Sequence, residues 1–328
     1  MAIHEFIGEL TPLSNQRQIG VIGAAVIDVI ADAYSLPYRG SDIELHQQSI
    51  NVGGCALNVA ITLHRLGIGS INALPIGQGI WSDIIRGDLD RKGIRSITQN
   101  LTGDNGWCLA LVEPDGERTF LSVSGVENQW TPELLAEIGL QPHALLYVSG
   151  YQLASSTGPI ILDWLESLDS TIRIFIDFGP RIADISAQAL QRLLALNLII
   201  TLNRQEAEHV QKQWLKINDN LLNIEKLTNE WFRRFSIPLI IRVDKEGAFC
   251  CQRDEIVNIA PYPITVVDTI GAGDSHAGGV LAGLASGWSL KNAVRLGNAV
   301  ASYVVGHRGG DCAPPTEELS KHLAGYNN

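Results

Sequence analysis

The sequence predicts an α/β fold in which a doubly wound, mainly parallel sheet carries a small β-sheet lid. Three observations lead there. Short apolar runs alternate with stretches of helical period along most of the 328 residues, the rhythm of strands joined by crossover helices. The runs are almost continuously apolar rather than alternating, as in strands covered on both faces. Between 105 and 125 the rhythm breaks into a hairpin, which needs a second, smaller sheet to pack in.

Taken in order, 19–30 is nearly all apolar, with small residues at Gly23, Ala24 and Ala25, and reads as a buried first strand. Residues 31–49 are more polar, contain Pro37 and Gly40, and leave the core. From Gly53 onward, Ala56, Val59, Ala60, Leu63 and Leu66 follow the i, i+3, i+4, i+7 spacing of a helix that ends at Gly67. A strand over 70–76 and a helix over 81–92 come next. Then 107–112 and 118–123 read as strands joined across Glu113-Pro114-Asp115-Gly116-Glu117, where Asp-Gly marks a tight turn; with the segment near 46–52 they make a small β-sheet standing off the main body. Strands at 144–149, 172–177, 198–202 and 239–243 restore the alternation, and a last helix over 289–305 aligns Ala293, Leu296, Val300 and Val304 on one face. The chain reads as an N-terminal extension over 1–18 and one domain over 19–328, with lid pieces at about 31–52 and 105–125.

With 45% apolar and 18% charged residues, the chain can bury a large core. A formal net charge of −11 argues against general affinity for nucleic acid or anionic membrane, since both need a basic surface. Cys55, Cys108, Cys250, Cys251 and Cys312 are scattered, with no Cys-x-x-Cys pair and no His spacing suited to zinc, which fits a reducing compartment. Residues 1–18 carry His4, Glu5 and Glu9 and lack the basic-then-apolar pattern of a secretion signal. No apolar run approaches the roughly 20 residues that span a bilayer, so a soluble, cytoplasmic protein is expected.

The chemistry concentrates in Asp268-Thr269-Ile270-Gly271-Ala272-Gly273-Asp274. Three small residues at a helix start let backbone N–H groups approach an anion closely, and the aligned peptide dipoles favour negative charge there. Asp274, in the first turn, could take the proton of a hydroxyl that attacks a phosphorus held by those amides. In isolation the segment is also a glycine turn with a dipole-compensating acid. Val52-Gly53-Gly54-Cys55-Ala56-Leu57-Asn58 sets two glycines, whose main chain a ligand can touch, ahead of an Asn that both donates and accepts; alone, it is a turn entering a helix. Asp28 lies in an apolar run, where an unpaired carboxylate is costly unless it is solvated or binds something. Asn203 and Glu206 share a helix face after a strand and have the spacing of a capping box.

Asp-Thr-x-Gly-Ala-Gly-Asp, followed by Ala277-Gly278-Gly279, and the glycine-pair segment together resemble the paired signatures of the ribokinase-like (PfkB) carbohydrate kinases, over roughly residues 19–320. The resemblance implies a ribokinase-like fold whose lid, inserted in two pieces, covers a sugar. It implies an ATP-dependent kinase that phosphorylates a hydroxyl, primary by expectation, of a sugar or sugar acid. Asp274 would be the general base, and Gly271, Ala272 and Gly273 would stabilise the transferred group. Asp28, Gly53, Gly54, Asn58 and Arg181 would bind substrate; Asn203, Glu206, Gly247 and Asn298 would serve the nucleotide, with Glu206 ordering Mg2+ through water. Asp268 and the Ile270 carbonyl, with the Arg308-Gly309-Gly310-Asp311 turn, stand where relatives often hold K+.

Departures from the family pattern bear on the substrate. Cys55 and Val26 stand where ribokinases carry a Lys and an Asn, which weakens ribose, and the loop from Ser149-Gly150 tilts toward a six-carbon substrate. Gly179 replaces the Asn of Asp-x-Asn-x-Arg at 177–181, and Asp244 replaces the first glycine of a nucleotide-side turn ending at Gly247. The alternatives are a nucleoside or other small-polyol kinase, and a catalytically idle sugar- or nucleotide-binding regulator on the same fold. A nicotinamide-dependent oxidoreductase is disfavoured, because no Gly-x-Gly-x-x-Gly follows the first strand. An exposed lid edge could pair two copies into a homodimer.

Overall fold

The computed structural model describes Phe6, Gly8, Leu10 and residues 13–252 and 255–327, so part of the expected extension over 1–18 lies outside the described residues. In chain order the strands are β1 (Ile19–Ile22), β2 (Val26–Asp32), β3 (His46–Gly53), β4 (Ile71–Ala73), β5 (Trp107–Val112), β6 (Arg118–Val123), β7 (Leu145–Ser149), β8 (Arg173–Asp177), β9 (Leu198–Leu202), β10 (Leu239–Arg242), β11 (Ala248–Gln252) and β12 (Glu255–Ile259). Eight form one sheet in the order β12-β11-β10-β9-β8-β7-β1-β4, and four form the lid in the order β3-β2-β5-β6. From β4 across to β10 the large sheet is parallel, and β11 and β12 continue it antiparallel. The order reverses at β1, the switch point beside which open α/β sheets bind ligands at the carboxyl ends of their strands.

The central strands are buried on both faces, as their apolar runs predict. Phe175, Ile199 and Ile240 join the core layer beneath the helices Cys55–Arg65, Ala272–Ala285 and Leu290–Val305, while their neighbours Ile176, Ile200 and Ile241 join the opposite layer. Phe6 and Leu10 also lie in the first layer, and the Phe6 ring meets Trp288 at 6.0 Å between centroids. The helix Ala272–Ala285 owes its small residues partly to packing. A Cβ on Gly279 would stand 2.9 Å from Gly297 Cα, and one on Gly278 would stand 2.6 Å from Thr62 Cβ. Such close helix contacts are possible only without side chains.

The first strand differs from the expectation of one run over 19–30. β1 pairs with β4 and β7 in the large sheet, whereas β2 pairs with β3 and β5 in the lid. Gly23, Ala24 and Ala25 carry the chain from one sheet to the other, so the lid starts at Val26 and contains Asp28. A nearly unbroken apolar stretch is what a buried strand followed by a half-buried one also produces, which is why period alone hides the junction.

The lid is attached through four short connectors that touch one another. Gly54, with φ 120°, lies against the Ala24 carbonyl so closely that a Cβ would collide with it. A Cβ on Gly125 would meet the Asn105 carbonyl carbon at 2.5 Å, and Glu127 accepts hydrogen bonds from the amides of Gly106 and Gly125 at 2.7 and 2.8 Å. The Asn105 side chain links the two crossings by donating to the Ala25 carbonyl at 3.1 Å. No helix among the described residues is long and apolar enough to cross a membrane.

Candidate active site

The carboxyl ends of the parallel strands bring the chemistry-bearing residues together. Asp177 ends β8, Arg242 ends β10, and Asn203 follows β9 directly. Above them begins the helix Ala272–Ala285, with Gly271 as its N-cap in the left-handed region at φ 71°. The backbone of Gly310 packs against Gly271 so tightly that a Cβ would stand 2.5 Å from its Cα, so glycine is required twice over, by φ and by space. No side chain caps this helix; the Ala272 amide donates to the Thr269 carbonyl at 3.3 Å, so the amides of Gly273 and Asp274 are the ones placed to meet an external acceptor.

Asp274 sits in that first turn and is half-buried. Its Oδ2 accepts a hydrogen bond of 2.8 Å from Asn58 Nδ2, so the helix entered through Gly53 and Gly54 orients the carboxylate. Burial pushes the Asp274 carboxyl above its ordinary range; the Asn58 hydrogen bond opposes this, and the charge of Asp177 reinforces it. Burial, reinforced by the negative charges of Asp274 and Asp177, drives the Cys55 thiol well above its usual value, so it stays protonated.

On the other side of Gly273 lies Arg242. Its Nη1 would stand 2.7 Å from a Cβ on Gly273, its Nη2 donates to Asp177 Oδ1 at 3.4 Å, and it approaches Glu206 Oε2 at 4.0 Å. Burial opposes its charge, but Asp177 and Glu206 outweigh that and hold the guanidinium above its ordinary pKa. Glu206 is 3% exposed and forms the capping box anticipated from spacing: its amide donates to Asn203 Oδ1, and its carboxylate accepts from the Asn203 amide and side chain. Burial, reinforced by Asp177, pushes Glu206 up to about 7 against the pull of Arg242.

The remaining expected residues are placed unevenly. Asp28 lies on β2 beside Gly53, where a Cβ would collide with its carboxylate, and burial pushes it up to about 6. Arg181 is 48% exposed and paired with Asp184, at the rim rather than with the buried carboxylates. Gly247 adopts φ 91° and packs on the Ile259 carbonyl, a structural reason for glycine there. Asp244 has φ 54°, which explains why a glycine suits that position, and it pairs with Arg204 at 2.9 Å. The side-chain amide of Asn298 is spent inside the protein: it donates to the carbonyls of Ile259 and Ala260 and meets His276 Nε2 at 3.2 Å. Asp268 bridges the two expected cation loops, accepting from the Ile270 amide and the Gly309 amide at 3.1 Å each.

Arg242 and its partner Asp177 received no role from sequence reasoning. The signal was present: a charge closing the apolar strand run 239–243 raises the same question as Asp28 in its own run. A nucleotide triphosphate with a divalent metal suits the donors found here. Arg242 Nε and Nη1 are buried without a hydrogen-bond partner among the described residues, and the helix start is uncapped. Among the described residues no three or more of His, Cys, Asp and Glu gather to hold an ion, so magnesium would use one or two carboxylates and take its other oxygens from phosphate and water.

Comparison with known proteins bears on this arrangement. The family described as pfkB family carbohydrate kinase matches residues 16–317. An uncharacterized sugar kinase, YegV, of Escherichia coli (strain K12) is 57% identical over 317 residues, which cover 97% of this chain and 96% of that protein. A 5-dehydro-2-deoxygluconokinase of Listeria innocua serovar 6a is 26% identical over 323 residues, covering 92% and 94% of the two chains. The crystal structure of ribokinase from Thermotoga maritima superposes with a TM-score of 0.76 at 20% identity, over 94% of this chain and 99% of that one.

Proposed function

The chain belongs to the pfkB family of carbohydrate kinases, and from that premise we propose that it transfers the γ-phosphoryl group of ATP to a primary hydroxyl of a six-carbon sugar or sugar acid. The observation that carries this reading is the Asp274 carboxylate, set in the first turn of an uncapped helix and oriented by Asn58 at 2.8 Å. A base so placed takes the hydroxyl proton as the oxygen attacks phosphorus, and its raised pKa strengthens it for that task. The amides following Gly271 stabilise the charge spread over the transferred group, and Asp28 and Asn58 accept and donate to sugar hydroxyls. When bound, magnesium would neutralise the triphosphate, with Glu206 ordering its water shell.

The substrate class rests on two further observations. Cys55 presents a protonated thiol where ribokinases carry Lys, and the name of the Listeria relative indicates a six-carbon sugar acid as its own substrate. A coupled ADP-release screen over pentoses, hexoses, ketoses, sugar acids and nucleosides tests the proposal. Turnover is expected with a hexose or hexose-derived acid. Preference for a nucleoside would overturn the substrate class, and no ADP release with any acceptor would favour an idle binding protein.

A pH dependence follows from Asp28. Its folded value of about 6 exceeds the ordinary 3.8, so its charge costs the folded protein stability in full above pH about 6, and that cost fades as pH falls from about 6 to 3.8. Substrate binding has the opposite sign, because only the carboxylate accepts from two hydroxyls. The KM for sugar should therefore rise as pH drops below about 6. Asp28→Asn should abolish that step while raising KM at pH 7.5; a sugar KM that is flat from pH 5 to 8 in the wild type argues against Asp28 as a ligand.

Two further proposals concern surroundings of the site. Asp268 ties the loop before Gly271 to the Gly309 turn, and carbonyl oxygens held between such loops suit a large, weakly hydrated ion. Potassium should accordingly raise kcat more than sodium at equal ionic strength; identical rates with potassium, sodium and a bulky organic cation would remove the site. The edge strand β6 exposes Phe120, Leu121 and Val123, and a homodimer would bury them.

A further inference from the structure

Resting on the kinase reading above, we propose that Arg242 is a further catalytic residue, whose guanidinium binds oxygens of the phosphoryl group as it passes from nucleotide to sugar. The plainer role for this side chain is to neutralise Asp177 and Glu206, and the geometry exceeds that role. Nη1 lies 3.1 Å from Asp177 Oδ2 without hydrogen-bond alignment, Nη2 reaches Asp177 Oδ1 only at 3.4 Å, and Glu206 is 4.0 Å away. Nε and Nη1 are left without any hydrogen-bond partner among the described residues. Buried donors are nearly always satisfied, and the two contacts of this fork with Asp177, at 3.1 and 3.4 Å, are longer than those of a tight bidentate pair.

The position of the guanidinium is informative. Nη1 lies alongside Gly273, whose missing Cβ leaves the guanidinium next to the uncapped helix start. The same guanidinium is flanked by Glu206 after β9, the carboxylate proposed to order the metal, whereas Asp28 and Gly53 lie together on the lid side of the site. Arg242 thus stands between the amide cluster and the metal side, where phosphoryl oxygens pass. In the reaction the sugar oxygen bonds to the γ-phosphorus and its proton goes to Asp274. The bond from phosphorus to the β,γ-bridging oxygen breaks, and its electron pair leaves with ADP. A planar, permanently charged fork meets two oxygens of the group in flight, an arrangement that a point charge does not reproduce.

Titration calorimetry with ADP and with AMP-PNP, in magnesium, separates this role from a structural one. Arg242→Gln and Arg242→Lys should lose about tenfold to a hundredfold in AMP-PNP affinity, the scale of charge-assisted hydrogen bonds, while ADP affinity stays within about twofold. Their kcat should fall by about 10²–10³-fold, as when one oxyanion donor is removed. Arg242→Lys keeps a cation between Asp177 and Glu206, so it decides the matter if Arg242→Gln does not fold. Equal losses for both nucleotides, or an unchanged AMP-PNP to ADP ratio, overturn the assignment of Arg242 alone. A wild-type protein that binds neither nucleotide overturns the kinase reading itself.

Discussion

Asp274→Asn should lower kcat by about 10²–10⁴-fold, the usual range for removing a positioned general base, while the protein stays folded and binds ATP as before. The substitution is nearly isosteric. Its carbonyl oxygen can still accept from Asn58, so the contact between the two helices survives. It also removes a carboxylate whose charge is costly in this place: burial, reinforced by Asp177, holds its pKa above the ordinary value, and a neutral amide lacks that cost. The melting temperature should therefore hold or rise as activity collapses. Steady-state kinetics beside a thermal melt make the check, and wild-type turnover in the variant would remove Asp274 from the role of base.

Gly273→Val should reduce kcat/KM more than a hundredfold, because it fills the space in which phosphate and guanidinium would meet. Even the Cβ alone would stand 2.7 Å from Arg242 Nη1, and two methyl groups would push the guanidinium off Asp177. Overpacking of this kind costs about 1–3 kcal/mol of stability, so a lower melting temperature should accompany the kinetic loss. Gly273→Ala should fall between the two, with the arginine tip yielding by a few tenths of an ångström. A valine variant within twofold of wild type in kcat/KM would show that the helix start is not the anion site.

Much of the fold was legible because burial writes itself into composition. The strands 144–149, 172–177, 198–202 and 239–243 stand as apolar runs that the described β7, β8, β9 and β10 match within a residue or so. The junction after Ile22 was not legible, since the apolar run continues from the buried β1 into the half-buried β2 and no polar residue marks the crossing between sheets. The proposed anion site at the helix start was read from its small residues, yet Gly278 and Gly279 serve packing against Thr62 and Gly297, a distinction spacing cannot make. Asn203 and Glu206 were read with two roles, and the capping role is present in full. Arg242 stayed hidden because its meaning lies in three partners far apart in sequence, Asp177, Glu206 and Gly273, which only the sheet brings within reach.

The lid's attachment carries a mechanical consequence. Its four strands join the body at two crossings, where Gly54 rests on Ala24 and Gly125 rests on Asn105 and Gly106. Two fixed points define a line, and a plate fastened along a line retains a single freedom, a swing about that axle. Asp28 rides on the swinging plate. Asn58 and Asp274 belong to helices packed through Gly278 and Thr62, on the stationary side of the axle. Closing the plate would change the distance from Asp28 to Asp274 without disturbing Asp274 or the Asn58 amide that holds it. On the proposed reading a sugar would be measured by how far the plate comes down on it, with Asp274 and Asn58 already assembled on the fixed side.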